Sequence, residues 1–272
     1  MNEVLKLSKK ERQDRILAEL RISTTIRISD LAAELGVSYE TIRRDLEEMG
    51  QNGLINRTYG GAVARNHVQE ALRQSSPPYH QRTHEYVEQK RAIARCTAEL
   101  ISDGETLIID AGSTSTFLIP LLAQKRDLII ITNSLDIEYA LVPIIETNPT
   151  IKVVSTGGML YPRSRAFIGM TAEQALGNYF VDRTFLCVRG ISLKHGLTVP
   201  VLEEIPVKQQ MIKSARQVVV LADHTKFGQT LAGLIAPLQA AHLIITDDRL
   251  PLEVAQQFEA AGPQIVRAPG KS

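Results

Sequence analysis

With 272 residues, 44% of them hydrophobic, and a formal net charge of +1, the chain can bury one large domain plus a small one and shows no bulk basic excess. Its longest apolar runs, such as Leu128–Ile131 and Val218–Ala222, are far too short to cross a bilayer, and Met1–Asp14 is polar, without the apolar core of a secretory signal. Cys96 and Cys187 form no metal-ligand pattern, so the expectation is a reduced, cytoplasmic protein with no cofactor, no metal and no membrane partner.

Residues 8–63 read as short helices with tight punctuation. Ser8 followed by Glu11 has the spacing of a capping box, and Ile16, Leu17 and Leu20 then share one helical face. A second helix, capped by Ser29 or Asp30, is expected through Leu31, Ala32 and Leu35, with Gly36 ending it in the left-handed conformation. Val37 fills the turn, Ser38 caps a third helix, and Ile42, Leu46 and Met49 face inward from it. Gly53 stops that pattern, and Leu54–Arg57 with Ala62–Val63 predicts a small hairpin around Tyr59, Gly60 and Gly61. Periodicity fades over 64–86, where Ser75-Ser76-Pro77-Pro78 marks a linker, although the chain from Tyr79 could already pack on the second domain. The expected division is therefore 1–65, a linker at 66–86, and 87–272.

Beyond residue 87 helices alternate with buried strands. A helix around Glu88–Ile101 precedes strands at Thr106–Asp110, Leu128–Thr132, Ile151–Thr156, Thr184–Val188, Gln217–Ala222 and His242–Thr246. Such alternation predicts an α/β domain with a largely parallel sheet covered on both faces.

Residues 1–65 hold 11 Lys and Arg against 10 Asp and Glu, so any case for DNA rests on where charges sit. A helix, a tight turn and a second helix could offer the N-terminal end of that second helix to a major groove. With Ile42, Leu46 and Met49 inward, its outward face carries Tyr39, Glu40, Arg43 and Glu47, with Arg44 at one side. Arg43 is the candidate for a bidentate guanine contact, while Arg44, Ser38 and Thr41 suit phosphates. Arg57 and Tyr59 could touch backbone or minor groove. The competing reading is a helical interaction module with solvated charges, in which Arg44 simply pairs with Glu40 or Glu48. The run Val37-Ser38-Tyr39-Glu40-Thr41-Ile42-Arg43-Arg44-Asp45-Leu46, with Gly53-Leu54-Ile55, Arg57 and Tyr59-Gly60-Gly61-Ala62, resembles the N-terminal signature of the DeoR family of bacterial regulators. That resemblance implies a winged helix-turn-helix bound to double-stranded operator DNA.

In the second part, Thr106–Asp110 runs into Ala111-Gly112-Ser113-Thr114-Ser115-Thr116 and then apolar Phe117-Leu118-Ile119. A small-residue loop at the carboxyl end of a strand can aim amides and hydroxyls at one anion, although an ordinary Ser/Thr-capped helix reads the same way. Other strands end in Thr132-Asn133-Ser134, Thr156-Gly157-Gly158 and Asp223-His224-Thr225-Lys226-Phe227-Gly228. Lys226 could neutralise a phosphate, and Asp110 is better suited to sugar hydroxyls. Asp223 and Lys226 could equally end a surface turn, and Asn133 could cap a helix.

Residues 87–250 also resemble the DeoR effector domain, related in fold to ribose-5-phosphate isomerase and glucosamine-6-phosphate deaminase, through these same strand-end pieces and Lys208–Met211. The resemblance implies a phosphorylated sugar effector held by Gly112–Ser115, with Lys208 in the site. One stretch departs from it: Val188, Arg189 and Ser192 stand where small residues and acids are usual, so the effector is unusually anionic or the pocket is reshaped. Arg163 and Arg165 could add to a positive site.

An isomerase or deaminase would need a placed base, and no carboxylate occupies Arg189–Ser192; Glu203, Glu204 or His195 would have to substitute. The expectation is a non-enzymatic repressor of a carbohydrate-metabolism operon. A single short recognition helix reads few base pairs, so a homodimer or homotetramer is expected.

Overall fold

Ser8 and Glu11 exchange both bonds of a capping box: the Ser8 amide donates to Glu11 Oε2 at 2.8 Å and the Glu11 amide to Ser8 Oγ at 3.3 Å. They open α1 (Lys9–Ile22), followed by β1 (Thr25–Arg27), α2 (Ile28–Leu35), α3 (Tyr39–Gln51), β2 (Ile55–Thr58) and β3 (Gly61–Ala64). This computed structural model describes residues 7–22, 25–52, 54–58, 60–64 and 78–270. Two compact units emerge, Met1–Ser75 and Ser76–Ser272.

In the first unit α1–α3 pack on a three-stranded antiparallel sheet of order β1-β3-β2, a winged helix-turn-helix. Ile16, Leu20, Leu31, Ile42, Leu46, Met49, Ile55 and Ala62 form its buried core. Gly36 ends α2 at φ 63°, and Val37 packs against the core. The α2 start differs from expectation. Ser29 and Asp30 lie inside its first turn, bonded to each other at 2.9 Å, and no side chain caps it. The Ile28 amide is satisfied by the Gly60 carbonyl at 3.0 Å instead, because β1 leads straight from the sheet into the helix. Gly61 is required where β3 meets β1: a Cβ there would lie 2.0 Å from the Ile26 carbonyl oxygen.

Asp45, buried on α3, accepts from Arg12 Nε at 2.7 Å and Nη2 at 3.3 Å, locking α1 to α3. Arg12 Nη1 also donates to the Leu7 carbonyl at 2.9 Å.

The second unit begins with α4 (Tyr79–His84), inside the stretch expected as linker, and α5 (Val87–Leu100). Its seven-stranded sheet is wholly parallel, comprising β4 (Thr106–Ile109), β5 (Ile129–Thr132), β6 (Lys152–Ser155), β9 (Val181–Cys187), β12 (Ala215–Leu221), β14 (Leu243–Asp247) and β15 (Gln264–Ala268). The strand order is β15-β14-β12-β9-β4-β5-β6. Alternate residues serve opposite faces: Leu107, Ile109, Phe185, Val219 and Leu221 enter one core, and Ile108, Leu186, Val218 and Val220 the other. The faces are covered by α5 and α6 (Leu135–Thr147) on one side and by α7 (Met170–Gly177), α8 (Ile205–Ser214) and α9 (Leu252–Glu259).

Three features lie beyond the sequence expectation: edge strand β15, the hairpin β7 (Met159–Tyr161)/β8 (Ala166–Ile168), and an antiparallel sheet of β10 (Gly190–Ser192), β11 (Gly196–Val199) and β13 (Gly233–Ala236). Ser115–Gln124 is a 3₁₀ run rather than an α-helix; Pro120 within it removes a donor.

The chain runs β4, β5, β6 outward on one side and returns through β9 to the other side of β4. The carboxyl ends of β4 and β9 therefore flank a topological switch point, the crevice where open α/β sheets take ligands.

Candidate functional site

The loop after β4 is held by its own polar groups. Ser115 Oγ is within 2.7 Å of the Asp110 carbonyl and 3.0 Å of the Gly112 carbonyl, and Thr116 Oγ1 donates to Gly112 O at 2.9 Å. Thr114 stands at the N-cap position of the 3₁₀ run but makes no capping bond. Among the described residues, the amides of Gly112, Ser113 and Thr114, and the Ser113 and Thr114 hydroxyls, have no protein acceptor. Gly112 presses on β9: a Cβ there would sit 2.2 Å from Cys187 Sγ. The result is a cluster of unspent donors at the switch point, suited to an anion.

Beneath the loop, Asp110 is wholly buried. Its Oδ2 accepts from Lys208 Nζ at 2.5 Å and from the Cys187 amide at 2.9 Å, and Lys208 Nζ also donates to the Cys187 carbonyl at 2.9 Å. Glu204 Oε2 lies 3.9 Å from the same ammonium. Burial alone would lower the Lys208 pKa; Asp110 and Glu204 outweigh it and hold the group above its ordinary value. Asp110, expected to meet sugar hydroxyls, is instead a buried counter-ion, and Lys208 is its partner under the loop.

Several other expected ligands serve the scaffold. Thr132 Oγ1 donates to the Ile109 carbonyl at 2.6 Å, Asn133 Oδ1 accepts from the Ala111 amide at 2.9 Å, and Ser134 Oγ caps α6 by accepting from Ile137 N at 3.3 Å. These bonds fasten the β4 and β5 ends together. Gly157 (φ 61°) and Gly158 (φ 112°) form the turn into the β7–β8 hairpin, and a Cβ on Gly158 would lie 2.7 Å from the Ile168 carbonyl oxygen. The hairpin lies over the β5 end, where the Phe167 amide donates to Asn133 O at 2.7 Å. Arg165, on its tip, bonds Asp136 at 2.6 Å.

On the β12 side, buried Asp223 accepts from the Thr225 amide at 3.0 Å and from its hydroxyl, and Lys226 Nζ lies 3.4 Å from Asp223 Oδ2 and 2.7 Å from Thr225 Oγ1. The Gly228 amide donates to Ile191 O at 2.8 Å, tying this turn to β10 and so to Arg189. Burial pushes the Lys226 pKa down.

Two cations at this site escaped the sequence reading. Lys90 on α5 is buried, and its ammonium donates to the carbonyls of Arg82 and, at 2.7 Å, Glu85; burial brings its pKa down to about 8. The available signal was a lysine three residues ahead of Ile93 and seven ahead of Thr97, on the buried face of a helix. Arg82 on α4 lies 5.5 Å from the Tyr79 ring centroid, and the Tyr79 hydroxyl meets Thr116 Oγ1 at 2.7 Å. Arg189, just beyond β9, is pushed down to about 10 by burial and by the neighbouring Arg82 charge.

In the first unit, Ser38 Oγ accepts from the Thr41 amide at 3.2 Å and meets Thr41 Oγ1 at 2.8 Å, so both hydroxyls hold the helix start. Arg43, its side chain 41% exposed, donates to both oxygens of Glu40 at 2.8 and 3.0 Å and lies 3.6 Å from Glu47. Arg44, 76% exposed, reaches the same Glu40 at 3.2 Å, and Arg57 approaches Glu47 at 3.4 Å. Bonded first by Arg43, Glu40 has its pKa lowered to about 2. Tyr39 is half exposed, and Tyr59 lies outside the described residues. The tip after Ser38 thus presents Tyr39, Arg43 and Arg44 on the surface, with Glu40 holding both guanidiniums.

Comparison with known proteins agrees with this two-part layout. Residues 12–68 match the DeoR-like helix-turn-helix domain and residues 85–248 the DeoR C-terminal sensor domain. The transcriptional repressor GlcR of Bacillus subtilis is 35% identical over 89% of this chain and 89% of its own length. The regulator GlpR of Haloferax volcanii is 32% identical over 94% of this chain and 96% of its own. Ribose 5-phosphate isomerase A from Neisseria gonorrhoeae superposes with TM-score 0.38 and 17% identity over 53% of this chain and 54% of that one, a likeness that carries no functional weight. Among the described residues no helix is long and apolar enough to cross a membrane. The chain belongs to the DeoR family of DNA-binding transcriptional regulators, and it is a regulator rather than an enzyme.

Proposed function

We propose that this protein represses a carbohydrate-metabolism operon by binding double-stranded operator DNA as a homodimer or homotetramer in the cytoplasm, and that a phosphorylated sugar releases it. Residues 1–65 read DNA, with Arg43 on a base edge and Ser38, Tyr39, Thr41, Arg44, Arg57 and Tyr59 against the backbone or the wing's groove. The stretch 66–86 joins this part to a sensor and oligomerisation part at 87–272, with its last residues, α4 (Tyr79–His84), already packed on the sensor. The phosphate lies on Gly112, Ser113 and Thr114 with Lys226 as counter-charge. Ser115, Thr132, Asn133, Ser134, Gly157, Gly158, Asp110, Lys208 and Asp223 keep that crevice in shape.

The observation that carries this reading is the group of unspent amides and hydroxyls on Gly112–Thr114 at the switch point. Binding of an anion there couples to DNA affinity; a coupling of about 1–3 kcal/mol changes operator affinity by roughly 5–150-fold. Gel shifts on the upstream region of its own operon, at fixed salt, test the proposal with and without sugar phosphates that raise the melting temperature of the purified protein. Weaker operator binding with such a ligand supports it; tighter binding reverses the sign and defeats the repressor reading. Lys226→Ala should lose the ligand response and keep operator binding.

A further inference from the structure

Five cations converge around the switch-point crevice: Arg82, Lys90, Arg189, Lys208 and Lys226. Four acids stand among them, Glu85, Asp110, Glu204 and Asp223. Most of this charge is spoken for. Lys208 is bonded to Asp110 with Glu204 nearby, Lys226 leans on Asp223, and Lys90 is held by two carbonyl oxygens. Arg82 and Arg189 are different. Neither makes an ion pair among the described residues, and the Nε of each is buried with no hydrogen-bond partner.

A buried guanidinium N–H without an acceptor is costly. Two of them beside one crevice, repelling each other, form an arrangement that an anion would relieve. Their positions are fixed from both sides. Arg189 follows β9 with its amide donating to Thr198 O at 3.0 Å, and β10 behind it is held close to its neighbours: a Cβ on Gly190 would lie 2.5 Å from Thr198 Oγ1. Arg82 is fastened through Tyr79 and Thr116 to the Gly112–Thr116 loop.

We propose that Arg82 and Arg189 form a second anion subsite, so that the effector carries two anionic groups: a phosphate on the Gly112–Thr114 loop and a carboxylate or second phosphate on the two guanidiniums. This rests on the reading of the loop as a phosphate site. Planar guanidiniums give bidentate recognition of carboxylate or phosphate, which a lysine pair would not. A single phosphate on the loop and Lys226 would leave both Nε groups unsatisfied.

Calorimetric titration of the full-length protein with matched probes tests this. Glycerol 3-phosphate is set against 3-phosphoglycerate, which adds a carboxylate, and fructose 6-phosphate against fructose 1,6-bisphosphate, which adds a phosphate. The expected result is at least about tenfold tighter binding of the two-anion member in one pair, and the pair that shows it identifies the second group. Arg189→Gln should erase that advantage while changing affinity for the one-anion member less than about twofold, and Arg189→Lys should retain part of it. Unchanged melting temperatures show that the variants fold. Equal affinities within each pair, or equal weakening of both members by Arg189→Gln, overturns the second subsite and leaves the phosphate loop standing. Failure of every probe to bind overturns both.

Discussion

Replacing Lys208 by Met is the sharpest stability test of the sensor unit. Lys208 and Asp110 are both buried, their ion pair is 2.5 Å long, and Asp110 Oδ1 already lacks a partner. Removing the ammonium leaves a carboxylate stranded under the effector loop, a change that costs about 3–5 kcal/mol. For a domain of this size about 2–4 °C of melting temperature is lost per kcal/mol, so a fall of about 6–20 °C is expected at pH 7. The pH dependence follows from the same geometry. Without Lys208, burial raises the Asp110 pKa in the folded state above its unfolded value, so the native variant binds the proton more tightly than the unfolded chain does. The deficit relative to the parent should therefore shrink as pH falls from 7 towards 5. Adding Asp110→Asn removes the stranded charge, keeps an acceptor for the Cys187 amide, and should recover most of the loss. Scanning calorimetry at several pH values reads the parent and both variants. A Lys208→Met protein melting within about 2 °C of the parent at pH 7, or one whose deficit grows on acidification, would refute the reasoning.

Gly112→Ala places a methyl 2.2 Å from Cys187 Sγ, so the loop must shift away from β9. An overpacking cost of about 1–3 kcal/mol is expected, with loss of ligand-induced stabilisation and unchanged operator binding; adding Cys187→Gly should restore the ligand response in a thermal-shift assay. On the DNA side, Arg43→Ala should cut discrimination between operator and unrelated duplex by roughly 5–150-fold. Arg44→Ala should weaken both alike and reduce the salt slope by about 0.9. Glu40→Gln releases Arg44, leaves Arg43 only its longer contact with Glu47 and removes a negative charge from the helix tip, so gel shifts should show tighter binding to unrelated DNA and a steeper salt dependence.

What could be read without coordinates was what local pattern controls. The Ser8–Glu11 box, the left-handed Gly36, the Ser38 cap and the inward Ile42, Leu46 and Met49 all depend on spacings within one or two turns of helix. The α2 start could not be read, because its amide is satisfied by Gly60, about thirty residues away in the wing. The Arg12–Asp45 clamp joins helices 33 residues apart and leaves no mark in either. In the sensor unit the apolar runs marked most central strands, while β10, β11 and the hairpin, short and glycine-bounded, gave no strand signal. The site was only half legible. Polar residues at strand ends read as effector ligands, yet Thr132, Asn133, Ser134 and Ser115 are occupied by the backbone that such ends expose. Arg82 and Lys90 were missed because they precede the first strand.

The surplus of positive charge in the crevice also governs proton binding. Lys90, its pKa brought by burial from 10.5 to about 8, loses its proton at lower pH folded than unfolded, and Lys226 is shifted the same way. For such a base the cost of holding the charge in the native state is fully present below the folded pKa and is relieved as pH rises from there to the unfolded value. The ligand-free sensor should therefore gain stability from about pH 8 to 9, above which Cys96 and Cys187, whose thiols burial pushes up, ionise first in the unfolded chain and oppose the gain. Lys208, shifted upward, keeps its charge across that window and does not oppose the trend. An anion reverses the situation, because a negative group among these cations favours their charged forms. Ligand binding near pH 8 should then draw protons from solution, and the uptake should fade towards pH 6, where Lys90 is already protonated. Calorimetric titrations in two buffers of different ionisation enthalpy measure that uptake. Lys90→Met should remove most of it. Proton release at pH 8, or an uptake unaffected by Lys90→Met, would mean that the bound group does not sit among these side chains.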